Sequence, residues 1–240
     1  MEEPSREINQ NSDFDMYILA LTWAPNFCCS KDKQCLAEGM NRLNDLHPHG
    51  LWPARLTSTS YPSYCSSLKK AMEGEEDGKK EGQFEQDKVN MGKKDKKKMT
   101  PRQRHEYEKH GSCTSLSFEE YFQQEEALYL RNASLRTLRD LLKQSSGEVI
   151  DVRKLHVFAG GKKIAVKASK QCQLQEITTC WSKKIDNRVG PQIDCPSYIL
   201  KGVRNTAEQY HCEKVYLDAS NKTCSIISKD LLLSMKKSKE

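Results

Sequence analysis

RHEYEKHGSC, residues 104–113, sets two histidines, two glutamates and a lysine in six consecutive positions and closes on a glycine and a cysteine. The chain has only six histidines, so two in one place need a chemical reason. A zinc site, a phosphoryl-transfer site and a solvated helix face are the readings open at this point. Zinc fails on spacing. HExxH metal helices put their two histidines four apart on one face. His105 and His110 are five apart, roughly 140° around a helix, and Lys109 occupies the place of the second ligand. On a helix His105 lies over Lys109 and Glu106 over His110, each pair at i, i+4. A carboxylate beside an imidazole favours the imidazolium, so His110 is expected to have a raised pKa. Phosphoryl transfer uses such a set, with cations for phosphate oxygens and imidazoles to move protons. A solvated helix with intrahelical ion pairs would read the same.

Upstream, HPHGLWPAR (47–55) offers His47 and His49, a glycine that permits close backbone approach, and Trp52. An exposed tryptophan beside a histidine is a stacking platform for a base. The plainer alternative makes Trp52 core and His49 a turn cap.

The 240 residues allow one generous domain or two small ones. The net charge of +6 suits an anionic partner such as nucleic acid, although much of it lies in one segment. Ten cysteines form no CxxC pair, which argues against zinc fingers and thioredoxin-like chemistry and for disulfides in an oxidising compartment. The sequons at Asn132 and Asn221 agree with a secretory route. No apolar run is long enough for a bilayer, and the polar start MEEPSREINQNSDF does not read as a signal peptide. The expectation is a mature, secreted or lysosome-like vesicular protein without a membrane anchor.

Along the chain, residues 1–13 read as a flexible tail, DMYILALTWAP (15–25) as a buried strand, and CLAEGMNRLNDL (35–46) as a short helix. Residues 66–104 are charged, glycine-rich and poor in apolar groups, which predicts a surface insertion. Its KKDKKK run (93–98), with Arg102 and Arg104 behind it, could form a basic arm for RNA phosphates, or a solubilising loop. SFEEYFQQEEALYLR starts with Ser117 and Glu120 in capping-box register, and LRTLRDLLKQ (135–144) is a second amphipathic helix. KLHVF, KKIAVK and QLQEITTCW read as strands. Helices in the middle with strands on both sides predict one α+β domain over 1–240.

HGLWP and HEYEKHGSC closely resemble the two active-site segments of the ribonuclease T2 family, the secreted and lysosomal acid endoribonucleases. LALTWAPNFC resembles the family's first strand, YPSYC a segment after the first motif, and QCQLQEITTC a late strand. The resemblance covers most of residues 15–200 and implies a central antiparallel sheet flanked by helices and stapled by disulfides. It implies cleavage of single-stranded RNA without metal or other cofactor, through a 2′,3′-cyclic phosphate, by a monomer. His110 would be the general base and His49 the general acid. Glu106 and Lys109 would stabilise the pentacovalent phosphate, His105 would hold the phosphate, and Trp52 would help form the base pocket. Implied disulfides are Cys28–Cys35, Cys65–Cys113, Cys172–Cys212 and Cys180–Cys195, leaving Cys29 and Cys224 to pair. Ala54 stands where the family often has an acidic residue, and Gln103 and Arg104 where an aromatic often precedes the second motif, which leaves base preference open. The alternative function is a secreted glycoprotein effector that acts on host cells or binds RNA, as for members that parasites secrete, with a host-cell receptor or glycan-mediated uptake.

Overall fold

Eight consecutive buried residues, MYILALTW, make β1 (Met16–Trp23). Strand side chains alternate between two faces, so a strand buried throughout needs cover on both. Tyr17, Leu19, Leu21 and Trp23 enter a larger core with Tyr121, Leu135, Leu138 and Leu142. Met16, Ile18 and Ala20 enter a smaller core on the opposite face, with Trp52, Cys180 and Ile199. This computed structural model describes residues 13–30, 44–65 and 100–218.

β1 lies between β2 (Leu46–Ala54) and β5 (Leu174–Lys183), antiparallel to both. β4 (Ala165–Ala168) and β6 (Val189–Ile193) pair with the other edge of β5 and complete a five-stranded sheet. β3 (Val149–Asp151) and β7 (Lys214–Tyr216) form a separate antiparallel ribbon. Among the described residues the α-helices are α1 (Ala24–Ser30), α2 (Pro101–Lys109), α3 (Phe118–Glu126), α4 (Ala133–Gln144), α5 (Val152–Phe158), α6 (Ser197–Leu200) and α7 (Thr206–Gln209). This is the α+β architecture with an antiparallel sheet that the sequence predicts.

α3 begins with the expected Ser117–Glu120 capping box, and α4 buries Leu135, Leu138 and Leu142 on one face. KLHVF is a correction: it is helical, not a strand. Asp151 accepts from the Arg153 N–H at 2.8 Å as an N-cap, and Gly160 and Gly161 take positive φ after the helix. These end signals outweigh the β-branched valines. The 66–104 segment is also corrected at its end, because Thr100 and Gln103 form a capping box that starts α2 at Pro101.

Cys65–Cys113, Cys172–Cys212 and Cys180–Cys195 are disulfides. The partner expected for Cys28, Cys35, lies outside the described residues. So do Cys224, Asn221, residues 1–12, residues 66–99, the Cys29 side chain and most of the helix expected over 35–46. No helix among the described residues is long and apolar enough to cross a membrane.

Candidate active site

A strand containing Pro48 and Pro53 belongs at the edge of a sheet, because proline has no N–H for a second neighbour; β2 is the edge strand. In its pairing with β1, Gly50 lies opposite Ala20 and Pro48 opposite Leu21, which leaves His49 without a partner. This is a β-bulge, a device that re-aims a side chain. It also resets the alternation, so Leu46 and Leu51 both enter the larger core while Trp52 and Ala54 enter the smaller one. His49 is turned into a cavity on the smaller-core face, where its Nδ1 lies 2.7 Å from Oε2 of Glu176 on β5. Glu176 is buried.

From α2, Glu106 faces β2 and Tyr107 faces the larger core, packing against Phe118 and Tyr121. Trp52 Nε1 donates to Glu106 Oε2 at 2.7 Å, with both side chains buried. A Cβ at Gly50 would collide with both of those atoms. The backbone thus passes directly over this hydrogen bond, and only glycine leaves room for it. α2 ends at Lys109 with His110 as its C-cap. Below it, the Tyr64 N–H donates to the Lys109 carbonyl at 2.8 Å, and the Cys65–Cys113 disulfide fixes the same junction. Tyr61, 46% exposed, is held there with its ring centroid 5.8 Å from that of His110.

His49, Tyr61, His105, Glu106, Lys109 and His110 line one cavity of about 550 Å³, together with Trp52, Lys167, Glu176 and Arg204. Its two central histidines differ in proton affinity. Burial drives His110 toward the neutral form, and the charges of Lys109, His105, Arg204 and His49 add to this, bringing its pKa down to about 3. Burial acts in the same sense on His49. There the hydrogen bond to Glu176 and the charges of Glu176 and Glu106 outweigh it, against opposition from Arg204, and the pKa is raised. The Trp52 ring adjoins both imidazoles, with centroids 5.1 Å from His49 and 5.4 Å from His110. One imidazole is thus biased toward the neutral, proton-accepting form and the other toward the protonated form, and both face the same space. Among the described residues no group of three or more His, Cys, Asp or Glu is placed to hold a metal ion.

The chain matches the family described as the ribonuclease T2 family over residues 14–211. It belongs to that family. A ribonuclease of Aeromonas hydrophila is 33% identical over 113 residues, covering 46% of this chain and 43% of that protein. The chain thus spans less than half the length of that bacterial relative. Ribonuclease 1 of Arabidopsis thaliana is 24% identical over 222 residues, covering 79% of this chain and 84% of that protein. Trichomaglin, whose solved structure is described as that of a novel S-like ribonuclease, shares the fold. It is 20% identical and superposes with a TM-score of 0.50 over 77% of this chain and 98% of its own.

In this ribonuclease T2 member, His49, Trp52, His105, Glu106, Lys109 and His110 are brought to one cavity from β2 and α2. Three expectations need correction. The Glu106–His110 couple at i, i+4 gives way to a bond between Glu106 and Trp52, and the His110 pKa is lowered, not raised. Trp52 is not an exposed platform: it is 6% exposed, and the Arg204 guanidinium lies 4.3 Å over its ring. The sequence reading missed Glu176, Arg204, Lys167 and Tyr61. For Glu176 a signal existed, a lone carboxylate inside the apolar strand QLQEITTCW. Arg204 sits in a loop and has no comparable local signal.

Proposed function

We propose that this ribonuclease T2 member is a secreted endoribonuclease that cleaves single-stranded RNA by metal-independent transphosphorylation. The observation that carries the reading is the opposite protonation preference of two histidines facing one cavity. The 2′-hydroxyl attacks the adjacent phosphorus, and the O2′–P bond forms as the P–O5′ bond breaks. His110 accepts the 2′ proton and His49 gives one to O5′, leaving a 2′,3′-cyclic phosphate and a free 5′-hydroxyl. Glu176 engages Nδ1 of His49, which leaves the Nε2–H for the leaving oxygen. Lys109 supplies positive charge to the pentacovalent phosphate beside Glu106, and His105 holds a phosphate oxygen. The incoming phosphate anion also offsets the like charges that depress His110, so its basicity rises as substrate arrives. Exposed Tyr61 offers a face for a base, the role that buried Trp52 leaves open.

The disulfides favour an oxidising compartment. Asn132 caps α4 through Oδ1, which accepts from the Leu135 N–H at 3.1 Å, so Nδ2 is the atom left for a glycan. Incubation with total RNA at pH 5 and pH 7, with and without EDTA, tests the chemistry. Cleavage insensitive to EDTA, with cyclic-phosphate ends and with 2′-deoxy substrates inert, is the expected result. Inhibition by EDTA that zinc reverses would sink it. His49→Phe or His110→Phe removes a proton-transfer group and should each cost roughly 10²- to 10⁴-fold in rate.

A further inference from the structure

The bulge at His49 exposes a backbone group as well as a side chain. The His49 carbonyl accepts a hydrogen bond from Arg102 Nη1 at 3.1 Å. The same guanidinium donates to Glu125 Oε1 on α3, at 3.3 Å from Nη1 and 3.2 Å from Nη2. Glu125 is 4% exposed, its Oε2 has no hydrogen-bond partner, and a carboxylate so buried needs a cation to remain charged. Burial pushes the pKa of the Glu125 carboxyl up, the Arg102 guanidinium opposes that, and the guanidinium is fixed in return by its hydrogen bonds to Oε1. Its side chain is not among those lining the cavity. This departs from the expectation of Arg102 as part of a basic arm for RNA.

We propose that Arg102, locked by Glu125, is a positioning residue for proton donation, holding the backbone of the bulge while Glu176 holds the imidazole ring. Two anchors on one residue, one at the carbonyl and one at Nδ1, fix where Nε2 meets the leaving 5′-oxygen. The proposal rests on the reading of His49 as general acid, and the test separates the two. When RNA is cleaved, P–O5′ breaks and O5′ takes a proton from His49. When a nucleoside 3′-(4-nitrophenyl phosphate) is cleaved, the same O2′–P bond forms, but nitrophenolate leaves without needing a proton. Misplaced proton donation therefore slows the first substrate and spares the second.

The variant to use is Arg102→Ala/Glu125→Gln, which leaves no buried carboxylate unpaired, alongside Arg102→Lys. On a dinucleotide the double variant should lose roughly 10- to 100-fold in kcat with KM held within about twofold, and turnover of the nitrophenyl ester should be unchanged. Arg102→Lys should recover part of the loss, since an ammonium reproduces only part of the guanidinium fork. Equal losses on both substrates would assign the pair to the scaffold and overturn the proposal. His49→Ala sets the reference. If its loss is selective for RNA while the double variant shows none, only the positioning role falls. If His49→Ala loses both substrates equally, the general-acid reading falls and the proposal with it.

Discussion

Gly50 is the residue at which the first motif and the second motif meet. Its missing side chain lets the β2 backbone cross the Trp52–Glu106 hydrogen bond, so Gly50→Ala forces that bond apart. A displacement on the order of 1 Å at a reacting group costs up to about 10²-fold in rate, and overpacking costs about 1–3 kcal/mol of stability. Measured kcat on a dinucleotide and a thermal midpoint should both fall; wild-type kcat in a folded Gly50→Ala protein would refute the role given to this contact. The histidines make a second prediction. Under the proposed mechanism free enzyme needs His110 neutral and His49 protonated, so kcat/KM should rise with pH through a limb near the low His110 pKa of about 3. It should fall again through the raised His49 pKa, above the ordinary histidine value of about 6.5. Activity is thus held in the acidic to neutral range and lost as alkali deprotonates His49. Glu176→Gln should move the descending limb to lower pH, and an unmoved limb would detach Glu176 from His49.

At the scale of elements, the site depends on holding β2 and α2 together. Trp52–Glu106 does this directly, and the Tyr64–Lys109 hydrogen bond with the Cys65–Cys113 disulfide ties the segment that follows β2 to the C-terminal end of α2. That disulfide spans a separation of 48 residues, for which loop-closure entropy alone gives about 4 kcal/mol. Cys65→Ser/Cys113→Ser should lower the thermal midpoint markedly and reduce activity by releasing Tyr61 from His110. An unchanged midpoint would remove the disulfide from the account of the fold. Where an end signal joined a long apolar period the helix was legible in sequence, as the Ser117–Glu120 capping box and the apolar stripe of α4 demonstrate. The short α5 and the polar α2 carry caps without such a stripe, so α5 reads in sequence as a strand and the start of α2 as part of the insertion. HPHGLWPAR was not legible as a strand, since two prolines are tolerated only because β2 lies at an edge, and edge position is a property of the assembled sheet.

For the whole molecule, the net charge of +6 bears on long substrates more than on the reacting phosphate. The lysines of KKDKKK lie outside the described residues, and Arg102 is already engaged by Glu125, so an arm for RNA rests on the lysines and on exposed Arg104. Changing Lys93, Lys94, Lys96, Lys97 and Lys98 to Ser should weaken cleavage of polymeric RNA and flatten its salt dependence, while dinucleotide cleavage stays the same. Equal effects on both substrates would instead tie the segment to the fold of the site.

The sequence by itself determined which groups the site is built from. Two histidine motifs supply the imidazoles, the carboxylate and the lysine that line the cavity, and the apolar run of β1 fixes the strand at the centre of the sheet, because side-chain type and local spacing contain both. Tertiary structure alone decided how far the two histidines differ in proton affinity. His110 is depressed by burial and by cations gathered from several elements, Arg204 among them, and His49 is raised by Glu176, 127 residues away in sequence. A pKa answers to the charges and the burial around a group, and those are set by the packing of β2, β5, α2 and the Arg204 loop, which no local pattern encodes.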